Sequence, residues 1–332
     1  MSRLIDNLPG VAMSVESVTD TLRHMWDSTT PTESNPTDFR ASQLNLILHF
    51  GLSTTTEEAQ EQFNTAIRFA QKYPCRIVVL CPSEKMDSTN AFEGKLFSQC
   101  YLGKHLRDLC CCEALILGYS PEQSDYLENQ VSVWLESDLP VYLWFHRVPA
   151  ERISKYYLEF LKRCRRILFD GEVEGDAYDR IAWPEPDRVR DLAYARTLPL
   201  RQHLGQFISG FSREELVDGL QSLVFQYTRG LRRKALQLLR WHRTALEKCF
   251  PKPADIDSVV FTSEQLVQEH SDSCLRMEWQ YNDKKKYLVW EYNRSRKSGL
   301  IRASFPSGSF EHPLHIEPLK PETSLSEAMF FN

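Results

Sequence analysis

Few residues in this chain have the types and spacing that chemistry demands. A phosphate cradle at a strand-to-helix turn needs closely spaced glycines, because only without a Cβ can the backbone approach the oxygens. The first strong strand ends Phe50-Gly51-Leu52-Ser53, with a single glycine. The chain has 13 glycines, no G-x-G-x-x-G and no Walker sequence. Gly118-Tyr119-Ser120 stands at a second strand-to-helix turn, where a hydrolase would carry its nucleophile, but Glu122 replaces the closing glycine. Ser120, followed by Pro-Glu-Gln, is expected to cap a helix instead. The nine cysteines include Cys110, Cys111 and Cys112 in succession. On a strand they alternate faces and cannot converge on one metal. They are expected to be small buried residues, a redox-sensitive site being the sharper reading. His312 and His315 are expected to be incidental. No metal site and no cofactor is expected, and the chain is not expected to be an enzyme.

Positive charge is clustered. Arg163, Arg165 and Arg166 precede one strand, Arg229, Arg232, Arg233 and Lys234 open a helix, and Arg240 and Arg243 lie further along it. Solvation is the ordinary fate of such charges. Cations at a helix N-terminus oppose the dipole, however, so an acidic protein surface or a phosphate would be a welcome partner.

The elements that would position these groups alternate. Val15, Val18, Leu22, Met25 and Trp26 have helical spacing, and the Ser/Thr/Pro-rich stretch from Ser28 to Phe39 reads as a linker, which would leave that helix as a tethered arm. Gln43–Phe50, Cys75–Cys81, Lys95–Leu102, Glu113–Tyr119, Asp138–Phe145 and Arg165–Asp170 read as strands. A helix capped by a Thr54–Glu57 box, and others carrying Leu127, Val131 and Trp134 or Ile153, Tyr157 and Phe160, lie between them. Strands alternating with helices predict a mainly parallel, Rossmann-like α/β sheet over residues 41–185, after an N-terminal helix and linker over 1–40. A smaller α+β domain is predicted over 186–318. It holds a helical stretch from Asp187 to Phe211 broken near Pro199, a strand at Leu220–Thr228, a long helix through Leu231 and Leu246, and an antiparallel meander over Leu275–Tyr281, Lys286–Tyr292 and Leu300–Phe305. Residues 319–332 are expected to be a flexible tail.

Composition sets outer bounds. The 332 residues suit two domains, with 42% hydrophobic and 26% charged residues. A net charge of −5 argues against nucleic-acid binding. Neither a membrane span nor a secretory signal is read, so a cytoplasmic location is expected.

Several segments, in order, resemble the glucose-6-phosphate dehydrogenase assembly protein family, OpcA. Met25-Trp26 with Arg40-Ala41-Ser42-Gln43-Leu44-Asn45-Leu46 is similar to its opening. Tyr73-Pro74-Cys75-Arg76 resembles its His-Pro-x-Arg, and Asp138–Trp144 its Asp-Leu/Ile-Pro-Val segment ending in Trp. Arg166–Asp170, Asp191–Arg196 and Leu238–Trp241 follow. Tyr73 replaces the usual His, and Tyr194 and Leu200 stand where the family tends to have Trp. The resemblance implies a non-catalytic partner of glucose-6-phosphate dehydrogenase that promotes its active oligomer. It points to Arg76, Trp144, Asp170, Arg196, Arg201 and Trp241 as partner-binding residues, each with a packing role as the alternative. A sensor or enzyme for a phosphorylated small molecule is the competing reading.

Overall fold

The computed structural model describes residues 3–27, 42–84, 92–102, 109–266 and 274–331. Two compact units result, one from residues 1–191 with 321–332, the other from 192–320. Among the described residues no helix is long and apolar enough to cross a membrane.

Unit 1 is built on an eight-stranded sheet. A short helix α1 (Leu4–Asn7), β1 (Val11–Met13) and α2 (Val15–Asp27) precede β2 (Leu44–Phe50). Helix α3 (Thr56–Ala70), β3 (Cys75–Pro82), β4 (Phe92–Leu102), β5 (Leu109–Tyr119) and α4 (Leu127–Trp134) follow. Strand β6 (Val141–His146) leads into a helix that begins as α5 (Ala150–Arg152), widens to a π-segment at Ile153–Tyr157 and ends as α6 (Leu158–Leu161). Next come β7 (Cys164–Phe169), α7 (Gly171–Glu174) and β8 (Val189–Asp191). The strand order is β1-β4-β5-β3-β2-β6-β7-β8. Pairing is parallel from β5 through β8, and β4 and β1 join antiparallel at one edge. Strand β2 is buried along its whole length, as an apolar run in a sheet covered on both faces must be.

Unit 2 opens with α8 (Leu192–Ala195), α9 (Leu198–Ile208) and α10 (Arg213–Val217). Strand β9 (Leu220–Tyr227), α11 (Arg232–Glu247) and β10 (Val260–Gln265) follow, then β11 (Cys274–Tyr281), β12 (Tyr287–Asn293), β13 (Ser298–Phe305) and β14 (Gly308–His315). The sheet order is β10-β9-β11-β12-β13-β14, with β10 and β9 parallel and the rest antiparallel. The expected meander is therefore the middle of a six-stranded sheet. Alternate residues such as Met277, Trp279, Leu288 and Trp290 face a core shared with Leu231, Ala235 and Leu238 of α11.

Four expectations need correction. The α3 box is Thr55 with Glu58, one residue later than Thr54 with Glu57: Thr55 Oγ1 accepts from the Glu58 N–H and the Glu58 carboxylate accepts from the Thr55 N–H. The N-terminal helix is no tethered arm, because Val18 and Leu22 are buried in the sheet core and β1 pairs with β4. The stretch from Asp187 breaks near Pro199, as expected, but is not helical throughout. It runs through a 3-10 turn, β8 and α8 before α9 starts with Pro199 in its first turn, and β8 extends the sheet of unit 1 past residue 185 to Asp191.

The C-terminal residues are not a loose tail. Pro321–Ser326 forms α12, continued by a π-turn at Glu327–Phe331. Leu325, Ala328 and Met329 are buried. Phe330 lies 5.0 Å from the Tyr73 ring and 5.9 Å from the Tyr142 ring. Glu322 pairs with Arg68, and the Ala328 carbonyl accepts from Arg166. Burying these side chains against the amino ends of the strands repays the entropy of ordering the segment. The linker read at Ser28–Phe39 lies outside the described residues.

Candidate functional site

The carboxyl ends of β2 and β6 are where the parallel strand order reverses, and the polar side chains of unit 1 gather there. Gly51 follows β2 and donates its N–H to the His146 carbonyl at 2.8 Å. A Cβ at Gly51 would come within 1.7 Å of the Arg147 carbonyl oxygen, so only glycine lets the two chain segments meet. Arg147 has φ +57°, a left-handed conformation that turns its side chain toward α3. Its Nε lies 2.7 Å from Glu58 Oε2, and its NH2 2.5 Å from Oε1, a bidentate fork. The fork holds the Glu58 carboxyl below its ordinary range. The Arg147 N–H donates to Glu174 Oε1 at 2.6 Å. Burial, with Asp170 and Glu58 nearby, pushes the Glu174 carboxyl up to about 7. His146 is buried, and burial lowers its pKa; its Nε2 lies 3.8 Å from Glu58.

On the other side of β2 a chain of hydroxyls runs inward. His49 Nε2 and Tyr119 Oη are 2.7 Å apart, and Tyr119 and Tyr157 Oη are 3.2 Å apart. Tyr157 donates to Ser124 Oγ at 3.4 Å, and Arg152 donates to the same oxygen at 2.7 Å. The π-segment swings Tyr157 into this chain. Burial, aided by the Arg152 charge, pushes His49 down to about 3, so the imidazole is neutral. Its Nε2 is already engaged by a phenol, and the network braces four elements.

The sequence-derived candidates fall three to each unit. Arg76 opens β3, donates to the Trp134 carbonyl at 3.1 Å and pairs with Glu136 at 2.5 Å, closing the end of α4. Trp144 is buried in β6, in register with Leu48 and Leu168. Asp170 caps α7, accepting from the Glu172 N–H at 3.0 Å. Arg76 and Asp170 thus sit at opposite ends of the sheet and do not pair with each other. In unit 2, the half-buried Arg196 lies just past α8. Arg201 donates to Thr197 Oγ1 at 3.1 Å and to Tyr194 Oη at 3.0 Å, its guanidinium 4.0 Å above the Tyr194 ring. Trp241 meets the His242 ring edge-on at 4.6 Å.

Other expectations are revised. Ser120 does not cap: it makes no side-chain cap bond, and its hydroxyl turns to Glu122 across a 3-10 turn. Cys112 is buried, as expected, while the Cys110 and Cys111 side chains lie outside the described residues. Arg233 and Lys234 are buried, not solvated. His312 and His315, three apart on β14, point to opposite faces, and among the described residues no group of three or more His, Cys, Asp or Glu is placed to hold a metal. Sequence reasoning passed over His49, Glu58, His146, Arg147 and Glu174. The available signal was a histidine in each of two otherwise apolar strands.

Residues 66–182 match the family described as the glucose-6-phosphate dehydrogenase subunit N-terminal domain, the OpcA assembly family. The matched span runs from α3 past α7. Over that span, about a third of its length, the chain is similar to the OpcA family. It is 22% identical over 184 residues to the OpcA protein of Synechocystis sp. (54% of this chain, 38% of the relative). It is 28% identical over 186 residues to that of Synechococcus elongatus (52% and 39%). Both relatives carry names that refer to the OxPP cycle. The chain aligns with under two fifths of the length of these curated relatives.

Proposed function

We propose that this protein is a non-catalytic assembly factor that binds glucose-6-phosphate dehydrogenase, promotes its active oligomer and so activates it allosterically. The match of residues 66–182 to the assembly family carries this reading. The geometry of unit 1 supports it. Numbered in chain order, the parallel strands β2, β3, β5, β6, β7 and β8 lie in the order 3-2-1-4-5-6, which we read as Rossmann-like. In such a sheet a ligand sits outside the carboxyl ends at the reversal, with its phosphate on a helix N-terminus. Here the Glu58 carboxylate, with Arg147 on it, occupies the start of α3, and the Gly51–Arg147 contact closes the floor. An anion arriving there would meet a carboxylate.

A factor of this kind acts by binding one state of its partner preferentially. At about 100 times its dissociation constant it stabilises that state by roughly 2.7 kcal/mol. The test is dehydrogenase activity across a glucose-6-phosphate titration, with and without this protein, using the enzyme of the same source. A saturable shift in apparent substrate affinity or maximal rate is expected. Superimposed curves would overturn the proposal and bring forward a sensor or enzyme for a phosphorylated small molecule.

A further inference from the structure

At one end of the six-stranded sheet the turns of unit 2 surround a groove of about 690 Å³. Its floor is apolar, from Val217, Leu220, Phe250 and Pro306. Four carboxylates line it, Glu214, Glu215, Asp218 and Asp255, against one ammonium, Lys286. Glu215 is committed to the fold: it completes the α10 capping box with Ser212 and accepts from the Ser307 N–H at 3.0 Å. Glu214, Asp218 and Asp255 are exposed and make no ion pair within 4 Å among the described residues.

Lys286 shows how the groove treats a cation. Its Nζ donates to the Asp218 carbonyl at 2.6 Å and stands 4.2 Å above the Tyr281 ring. The stem and the ring shield the ammonium from water, and that burial lowers its pKa, while Asp218, Glu215 and Asp283 act against the shift. One ammonium leaves most of the rim charge uncompensated. A volume of this size accepts two or three side chains.

We propose that this groove docks a basic segment of a partner protein, with an apolar side chain on the floor and flanking Arg or Lys residues on Glu214, Asp218 and Asp255. The argument is charge complementarity over an apolar floor. In naming the partner it rests on the assembly reading above; as a statement about the groove it stands alone.

The test uses the full chain and two probes. The first is a fluorescent acetyl-Arg-Leu-Arg-amide peptide, compared by polarisation with its citrulline counterpart, which keeps the shape and loses the charge. The second is the dehydrogenase itself, at low and moderate salt. The variant is Glu214→Gln/Asp218→Asn/Asp255→Asn. The control neutralises exposed carboxylates elsewhere in unit 2, Glu247→Gln/Glu264→Gln/Glu311→Gln, and unchanged thermal melting checks the fold of both. The arginine peptide is expected to bind and the citrulline peptide not, with a loss of about tenfold in the groove variant and none in the control. Equal binding of the two peptides, or equal binding by variant and wild type, overturns the groove. Binding of the peptide without the dehydrogenase removes the assembly reading and leaves the groove standing. Binding of the dehydrogenase unaffected by the groove variant keeps the assembly reading and overturns the groove as the place where the dehydrogenase docks.

Discussion

Replacing Glu174 by Gln should stabilise the protein at pH 8 and leave its stability unchanged near pH 4.5. Glu174 is half-buried at the end of α7, where its carboxylate accepts the Arg147 N–H. The Arg147 guanidinium is turned to Glu58 instead, so among the described residues Glu174 has no salt-bridging partner, while Asp170 and Glu58 add negative potential. Burial is the largest cause, and together these effects raise its pKa from 4.5 to about 7. In the unfolded chain the group ionises near its ordinary value. Between the two values the folded state holds a proton that the unfolded state has released, so stability falls as pH rises through that window and levels off above 7. At full weight a displacement of this size costs about 3 kcal/mol, and solvent screening at a half-buried site reduces that to about 1–2 kcal/mol. Glutamine keeps an oxygen for the Arg147 N–H and abolishes the ionisation. Urea unfolding at pH 4.5 and pH 8 measures the effect, with a transition fitted to each unit and hydrogen exchange over residues 141–147 identifying that of unit 1. A variant no more stable than wild type at pH 8, or equally stabilised at both pH values, would refute the reasoning.

Two further outcomes follow from other buried groups. His242 is buried among Phe225, Trp241 and Trp279, its Nδ1–H on the Leu238 carbonyl, and burial pushes its pKa down to about 4. Stability is fully present above the unfolded pKa near 6.5 and is lost as pH falls toward 4, by about 3 kcal/mol in all. Unit 2 of the His242→Phe variant should lose less stability than wild type between pH 7.5 and pH 4.5, and parallel curves in chemical denaturation would reject the assignment. Deleting residues 321–332 uncovers Phe69, Tyr73 and Tyr142 and removes buried Leu325 and Met329. The melting transition of unit 1 should fall by an amount equivalent to roughly 3 kcal/mol, and an unchanged transition in calorimetry would show that the segment contributes nothing.

Six of the eight strands of unit 1 and the central meander of unit 2 were legible because burial imposes a period on the chain, whereas the three-residue strands β1 and β8 were too short to show one. Apolar runs such as Leu44–Phe50 can only be central strands, and alternation over Leu275–Tyr281 can only leave one face wet. The family resemblance was legible too, through short motifs in order. Their roles were not: Arg76 closes a helix 58 residues away and Asp170 caps a four-residue helix, contacts that depend on which ends the fold brings together. The same holds for Gly51 against Arg147, Glu58 beneath Arg147 and Phe330 on Tyr73. Residues far apart in sequence carry no local periodicity to announce their contact. The sequence alone determined which segments form the central strands and the main helices and which of their faces are apolar, since those follow from side-chain polarity at fixed spacing. The tertiary structure alone decided which charges meet and which stay uncompensated, because the field at a carboxylate depends on neighbours that only folding supplies.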